Sequence, residues 1–296
     1  EKFATEILRQ TAGTADNILS FIKKYASAII SGISFGEAAA PMSIQFQIKE
    51  PQMSSDEILE LPEKIAKDRE IKIVICIDEF QQIGEFNNPR AFQANLRAKW
   101  QLQQNVSYCL LGSRRHMMME VFGKSSMPFY KFGAVYFLEK IDEAFWHDFI
   151  IREFTKTGKT INREQCKEIV SLVDNNPYYV QQLSQLVWFH TIDSPCSNEI
   201  IHEAFEDLLR QLGELNRTLT MTLTIPQQNL LHAMVNKEKS LSSRETMSRY
   251  GLKSTTEISR ARKALVSMDI LDDFGKIYSF EDPVYEYWLK NVFFAK

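Results

Sequence analysis

The sequence has few of the residues that interrupt regular structure. Only 11 glycines and 9 prolines occur among its 296 residues. Hydrophobic residues make up 44% and charged residues 25%, which is close to the average for soluble globular proteins and gives no indication of disorder. A chain of this length predicts about two domains with a substantial buried core.

The sequence also lacks a dominant charge and a cysteine motif. The net charge of -3 selects neither an acidic nor a basic class of partner. Its four cysteines are far apart and form no Cys-x-x-Cys pair: Cys76, Cys109, Cys166 and Cys196. We expect them to be reduced core residues in a reducing compartment. No group of Cys and His residues has the spacing of zinc ligands.

Long apolar runs are absent as well. The longest ones, such as Ile71 to Ile77, are far too short to span a membrane. The chain opens on a charged, helix-like segment and not on a signal peptide. We therefore expect a cytoplasmic protein without a membrane partner.

In its first half the chain alternates predicted helices and strands. Apolar residues at helical spacing predict helices over 3–9 and 17–30, and 31–53 is expected to be a loop with one edge strand. A Ser-x-x-Glu capping box at Ser54 predicts a helix to about Arg69. The elements predicted next are strand 71–77, helix 88–103, strand 106–111, helix 116–122 and strand 134–138. This alternation predicts an α/β fold with a parallel sheet.

The second half predicts helices and a short hairpin. After residue 141 helices are expected over 142–157, 163–174, 177–190 and 198–212. Three further helices and two strands follow, over 226–236, 242–249, 254–268, 270–274 and 276–280, with a tight turn at Gly275. Three helices and a hairpin are the winged-helix pattern. We therefore predict an α/β domain at 1–141, a helical domain at 142–222 and a winged helix at 223–296.

Two adjacent carboxylates follow the strand 71–77. This run is short and rich in Val and Ile, so we expect it to be buried on both faces of a parallel sheet. Asp78 and Glu79 then lie at the carboxyl edge of the sheet, where α/β proteins bind ligands. One carboxylate there can hold Mg²⁺ while the other polarises a water molecule. The alternative is a strand that ends in two solvated acids.

Polar and basic residues follow the next strand, 106–111. They are Ser113, Arg114 and Arg115. An acidic pair after one buried strand and this group after the next is the layout of a nucleoside triphosphatase. In that interpretation Asp78 anchors Mg²⁺, Glu79 orients or deprotonates the attacking water, and Ser113 or Arg114 senses the γ-phosphate. Arg115 is a weaker candidate, and the alternative for Arg114 is a surface residue at a helix start.

The phosphate-binding loop of such enzymes is missing. No G-x-x-x-x-G-K-[ST] pattern occurs. The one Gly-Lys-Ser, at 123–125, has Met118 in place of the first glycine and follows the acidic strand, so we interpret it as an ordinary loop. Either this chain lacks its N-terminal strand and phosphate loop, or the protein binds no nucleotide. The helical beginning favours the first alternative.

Five segments carry a resemblance to a known family: Ile73 to Phe80, Leu110 to Arg115, Met127 to Tyr130, Asp174 to Tyr179 and Asp282 to Trp288. On these the chain resembles the archaeal-type ATPases, a STAND-like branch of the AAA+ P-loop ATPases with members in bacteria such as the Bacteroidetes. The resemblance implies an α/β ATPase core, a helical lid, a C-terminal winged helix, bound ATP and Mg²⁺, and a phosphate loop (Walker A) upstream of residue 1. It places the Walker B aspartate on Asp78 and the catalytic glutamate on Glu79.

The resemblance also implies a nucleotide contact in the lid. A Gly-x-Pro motif of STAND proteins falls on residues 175–177, with Asn175 in place of the glycine. Pro177 and Tyr178 are therefore candidates for contact with the nucleotide. The alternative is a simple helix start, with Asn176 as N-cap and Pro177 in the first turn.

The expected function is that of an ATP-binding, Mg²⁺-dependent ATPase that acts as a nucleotide-driven switch. We expect activity in the full-length form, which assembles with itself or with a protein partner, and an inactive chain here. The alternative is a DNA-binding or protein-interaction winged-helix protein on a non-hydrolysing ATPase scaffold. Residues 236–263 contain eight Lys or Arg against three Glu, and Arg260, Arg262 and Lys263 share one predicted helix. DNA contact is the less favoured interpretation. Winged helices in ATPases often only pack against the core or a neighbouring subunit, and a charged helix face is often only solvated.

Overall fold

The structure is a computed structural model, and it describes residues 2–11, 24–25, 30–35, 44–48, 55–192, 195–272 and 278–295. The chain divides into two compact units, Glu1–Val135 and Tyr136–Lys296. Most of the predicted helix 17–30, the cap at Ser54 and the turn at Gly275 lie outside the described residues. No helix within the described ranges is both long and apolar enough to cross a membrane.

The first unit contains four helices, two pairs of strands and one 3₁₀ helix among its described residues. In chain order they are α1 (Lys2–Thr11), β1 (Ile30–Phe35), β2 (Ile44–Ile48), α2 (Ser55–Arg69), β3 (Ile73–Ile77), the 3₁₀ helix (Phe80–Glu85), α3 (Pro89–Trp100), β4 (Val106–Leu110) and α4 (Arg115–Phe122). Strands β1 and β2 pair antiparallel, where the sequence predicted a loop with a single edge strand.

The parallel pair β3–β4 forms the sheet that carries the predicted site. Its register runs from Ile73 opposite Val106 to Ile77 opposite Leu110. On one face Ile75 and Val106 pack into a hydrophobic core with residues of α1 and α2. On the other face Val74 is 67% exposed. The prediction of a strand buried on both faces is therefore wrong, because the described helices cover one face only.

Two of the four cysteines are exposed and two are buried. Cys76 and Cys109 are register partners on the exposed face of β3–β4, so the prediction that they are core residues is wrong. Cys166 and Cys196 are buried, as predicted.

The third predicted strand, 134–138, is not formed. These residues have no regular structure, and Tyr136 and Leu138 are 85% and 95% exposed. A strand requires a neighbouring backbone to pair with, and no described strand pairs with this segment. Its apolar and aromatic composition is therefore insufficient. Within the described residues the parallel sheet has two strands.

The second unit is mostly helical. Its elements are α5 (Glu143–Lys156), α6 (Arg163–Leu172), α7 (Pro177–His190), α8 (Asn198–Thr222), α9 (Ile225–Val235), α10 (Arg244–Arg249), α11 (Thr255–Ser267), β5 (Leu271–Asp272), β6 (Ser279–Phe280), α12 (Pro283–Trp288) and a π-helical turn (Leu289–Phe293). Strands β5 and β6 pair antiparallel. One hydrophobic core extends from α5 through α12, and it includes Ile150, Val180, Leu208, Leu231 and Leu265.

Local sequence signals account for several helix ends in this unit. The side chain of Asp142 accepts a hydrogen bond from the backbone of Ala144 and caps α5. Gly158 takes the left-handed conformation beyond the other end of α5, with φ of 76°. Helix α8, in contrast, continues ten residues past the predicted end at 212. It does so because Asn216 and Thr220 are buried on this helix. The hydroxyl groups of Thr220 and Tyr285 also form a hydrogen bond of 2.8 Å.

Candidate functional site

The ends of β3 and β4 lie side by side. Backbone pairing continues past both strands, because Leu111 N donates to Ile77 O over 2.8 Å and Phe80 N donates to Leu111 O over 2.8 Å. This pairing places the acidic residues after β3 next to the residues after β4. The predicted site residues of the first unit therefore come from two adjacent strand ends.

Glu79 and Ser113 are in direct contact. The Ser113 hydroxyl lies 2.9 Å and 3.0 Å from the two carboxylate oxygens of Glu79 and donates to them. A second donor, Gln81 Nε2, lies 2.5 Å from Glu79 Oε2. The Glu79 carboxylate is thus held between β4 and the 3₁₀ helix.

The backbone of Glu79 has an uncommon conformation. Its φ and ψ are 51° and 37°, in the left-handed region, which is unfavourable for a non-glycine residue by of order 1 kcal/mol. The chain turns here from β3 into the 3₁₀ helix. Strained backbone of this kind is frequent at functional sites.

Asp78 supplies the second carboxylate and is exposed. Its Oδ1 accepts a hydrogen bond from the backbone N of Glu79 over 2.9 Å. Within the described residues no group of three or more His, Cys, Asp or Glu side chains converges on a metal position. A single carboxylate fits Mg²⁺, which proteins hold through one or two carboxylates together with water and phosphate oxygens.

A small cavity of about 120 Å³ adjoins Glu79. Its lining residues are Glu79, Gln81, Gln82, Glu85, Arg114 and Met117. Arg114 is exposed, and its Nη1 lies 3.7 Å from Met117 Sδ. Arg115 is the first residue of α4 and does not line this cavity. The cavity has room for a few water molecules. Glu79 and Arg114 both line it, whereas Arg115 does not.

Sequence reasoning missed two residues of this site, Gln81 and Gly112. A Cβ on Gly112 would lie 2.4 Å from Gln81 Oε1 and 2.6 Å from Met118 Sδ, so only glycine leaves the Gln81 amide its position. Nothing in the sequence distinguishes Gln81 from its neighbour Gln82. The glycine at 112 becomes informative only when the structure places it, after the end of β4, against the side chain of Gln81.

The predicted nucleotide contacts of the lid lie at the start of α7, in the second unit. Asn176 accepts hydrogen bonds from the backbone N atoms of Tyr178 and Tyr179, over 3.1 and 3.4 Å. Pro177 is exposed in the first turn and Tyr178 is 62% exposed. These are the features of a helix start, and contact of Pro177 and Tyr178 with a nucleotide stays a prediction.

The turn before α7 is fixed by polar contacts. Asp174 and Asn175 are both left-handed, with φ of 46° and 54°. Lys140 Nζ lies 2.7 Å from Asp174 Oδ2, and Asn175 Nδ2 donates to Ile141 O over 2.7 Å. The segment before α5 therefore holds this turn.

The three basic residues on α11 do not share one face. Arg260 is exposed and lines a groove of about 510 Å³ with Lys253 and residues at the start of α9. Lys263 is exposed as well. The guanidinium of half-buried Arg262 lies 4.6 Å from the ring centre of Tyr278, which favours a cation–π contact. Only Arg260 and Lys263 are thus exposed to a partner.

Comparisons with known proteins support the fold. Residues 215–291 match the family model of a probable winged helix domain. The chain is similar to the Walker-type ATPase PABY2304 of Pyrococcus abyssi, with a TM-score of 0.59 and 15% identity over 96% of this chain and 78% of that one. A likeness at this identity concerns the fold alone. A search of curated proteins finds no match.

These findings confirm the coarser part of the fold prediction. The chain shares the fold of a Walker-type ATPase and contains a C-terminal segment of the winged-helix type. Membership of the STAND branch stays a prediction.

Proposed function

We propose that the full-length protein binds ATP and Mg²⁺ and hydrolyses ATP, and that it acts as a nucleotide-driven switch of the STAND branch of AAA+ ATPases. The contact between Glu79 and Ser113 carries this proposal. It joins an acid to a hydroxyl at two adjacent parallel strand ends, the edge at which α/β proteins bind ligands. The likeness to a Walker-type ATPase supports it.

Each residue of the site has a role in this proposal. Asp78 would hold Mg²⁺, which when bound neutralises charge on the phosphate oxygens. Glu79 accepts a proton from the attacking water. Ser113 and Arg114 bind oxygens of the γ-phosphate, with Arg115 as a second cation nearby.

We assign to the second unit the conformational response to the bound nucleotide. The proposal divides the chain into an ATPase core (1–141), a lid (142–222) and a winged helix (223–296), with Pro177 and Tyr178 in contact with the nucleotide. Lid and winged helix share one hydrophobic core, so we expect them to respond as one body. The partner that reads this response is a second copy or another protein.

The proposal requires a phosphate-binding loop, and this sequence contains none of the G-x-x-x-x-G-K-[ST] form. The decisive experiment therefore measures MgATP hydrolysis by the full-length protein, with whatever coding sequence precedes Glu1. Hydrolysis is expected, and Glu79→Gln should lower kcat by about 10²- to 10⁴-fold with ATP binding retained. No hydrolysis by the wild type, or an unchanged kcat in Glu79→Gln, would show that the proposal is wrong.

A second candidate function is DNA binding through the winged helix. The match of residues 215–291 to a winged helix domain favours it, as do the exposed side chains of Arg260 and Lys263. Salt bridges counter part of the basic charge, because Arg249 pairs with Glu238 and Glu245 over 2.7 and 2.8 Å. DNA binding is therefore the weaker candidate.

A further inference from the structure

Gln81 is a buried polar side chain beside the Glu79 carboxylate. Only 1% of its surface is exposed, and the nearby residues Phe80 and Ile83 belong to a hydrophobic cluster. Its Oε1 is buried and has no hydrogen-bond partner among the described residues. Such an acceptor destabilises a fold, because it loses its hydrogen bonds to water and gains none in exchange. An apolar side chain of similar size would suit folding better. What distinguishes this amide is that its Nε2 donates to the Glu79 carboxylate.

The surroundings leave the Gln81 amide little freedom. Its Nε2 lies 2.5 Å from Glu79 Oε2. On the opposite side its Oε1 occupies the space that a side chain at Gly112 would fill, 2.4 Å from the Cβ position. The left-handed backbone of Glu79 brings the side chains of residues 79 and 81 together. The space at Gly112 and the left-handed backbone of Glu79 therefore both favour the hydrogen bond between Gln81 and Glu79.

The two donors to Glu79 differ in accessibility. Ser113 is exposed, so its hydroxyl can rotate toward an incoming oxygen acceptor. Gln81 is enclosed and has no other described acceptor for Nε2. When a ligand takes the Ser113 hydroxyl, Gln81 remains as the donor that fixes the Glu79 carboxylate.

We propose that Gln81 is a positioning residue for Glu79, an inference that rests on the proposed ATPase function. With Oε2 held by Gln81, Oε1 faces the attacking water. Oε1 takes one proton as the water oxygen bonds to the γ-phosphorus, and the bond from phosphorus to the ADP oxygen breaks. In this role Gln81 contacts neither the nucleotide nor the attacking water, and it acts only through the orientation of Glu79.

The test compares kcat and KM of the full-length protein and its Gln81→Met variant. Met keeps the length of the side chain and removes the donor, so kcat is expected to fall by about 10- to 100-fold. KM for ATP should change by less than about twofold, because Gln81 makes no ground-state contact with ATP. Gln93→Met is the matched control. Gln93 is 0% exposed and its amide atoms have no partner among the described residues, so the variant removes an equally buried amide and should leave kcat within about twofold.

A double-mutant cycle separates positioning from a general structural effect. In the Glu79→Gln background, Gln81→Met should change kcat by less than about twofold, because the residue acts only through Glu79. Should Gln81→Met not fold, Gln81→Asn, one methylene shorter, takes its place with the same expected loss.

The outcomes distinguish the two proposals. A wild type without ATP hydrolysis overturns the proposed function and this inference with it. An active wild type with unchanged kcat in the Gln81 variant, or with an equal loss in both backgrounds, overturns the role of Gln81 alone.

Discussion

The hydroxyl of Tyr179 donates a hydrogen bond of 2.5 Å to Asp282, 103 residues further along the chain. The other oxygen of Asp282 accepts from the backbone N atoms of Val284 and Tyr285, over 2.8 and 2.9 Å. One carboxylate therefore joins the first turn of α7 to the first turn of α12. Both turns lie in segments on which the resemblance to archaeal-type ATPases rests.

Loss of this bond should destabilise the second unit. Tyr179 is 7% exposed, and Tyr179→Phe keeps the ring while removing the donor. A hydrogen bond to a charged group contributes about 1.5–3 kcal/mol, so the free energy of unfolding in urea should fall by about that amount at pH 7. Tyr178→Phe, at an exposed neighbour, should have almost no effect. An Asp282→Ala background should abolish the effect of Tyr179→Phe, and equal losses in both backgrounds would contradict the assignment.

The same bond predicts a dependence on alkaline pH. Burial, reinforced by Asp282, raises the pKa of Tyr179. The folded chain keeps the phenol protonated, whereas the unfolded chain ionises near pH 10. The stabilisation is therefore complete below about pH 10 and is lost as the pH rises further. The difference between wild type and Tyr179→Phe in urea unfolding should shrink from pH 9 to pH 11, and a constant difference would argue against this account.

Thiol accessibility tests the exposed face of the parallel pair. Cys76 and Cys109 are exposed, whereas burial raises the pKa of Cys166 to about 12 and also raises the pKa of Cys196. Because the thiolate is the reactive form, a disulfide reagent at pH 8 should modify two thiols rapidly and two only after denaturation. Cys76→Ser with Cys109→Ser should remove the fast phase. Four slow thiols would mean that this sheet face is covered.

The sequence predicted helices better than strands, for a local reason. Helix starts such as Asp142 and Asn176 carry their own caps, and the side chains that decide them are within three residues. The prediction of a strand over 134–138 was wrong because a strand needs a neighbouring strand, which comes from elsewhere in the chain. The same dependence explains the exposed Val74, since burial on both faces needs two layers of helices.

The site was predictable to the extent that it follows from parallel strands. Two strand ends in register bring Glu79 to Ser113, and this needs only the order of elements. Gln81 was not predictable, because its contact depends on the left-handed turn at Glu79 and on the space at Gly112. Neither feature has a residue signature in an isolated sequence.

The absence of a phosphate loop from this sequence predicts its affinity for ATP. Backbone N–H groups of such a loop supply most contacts to the phosphates. Calorimetry of the 296-residue chain with MgATP should therefore show no binding, or a Kd of about 1 mM or weaker. Micromolar binding by this chain would show that a phosphate site exists among its own residues.

Gly112 should be sensitive to a single methyl group. A Cβ there would come within 2.6 Å of the Gln81 and Met118 side chains, and overpacking of this kind is unfavourable by about 1–3 kcal/mol. Met118 can move its terminus, but Gln81 is enclosed, so Gly112→Ala is expected near the lower end of that range in urea unfolding. Gly84→Ala is the matched control, since its Cβ meets nothing within 4 Å. Equal effects of the two substitutions would contradict the close approach at 112.

The direction of the α11 side chains makes a prediction for DNA. If the winged helix binds duplex DNA, Arg260 and Lys263 are free to contact phosphates, and Arg262 is engaged with Tyr278. Each lost phosphate contact lowers the slope of log affinity against log salt by about 0.9. Arg260→Ala with Lys263→Ala should therefore lower the slope by about 2, measured by fluorescence anisotropy on a labelled duplex, and Arg262→Ala should leave it unchanged. All three residues carry the same charge on the same helix. If each substitution lowers the slope equally, the exposure of Arg260 and Lys263 does not decide which residues contact DNA, and the prediction is wrong. No binding by the wild type at low salt would remove DNA as a partner and leave the winged helix to protein contacts.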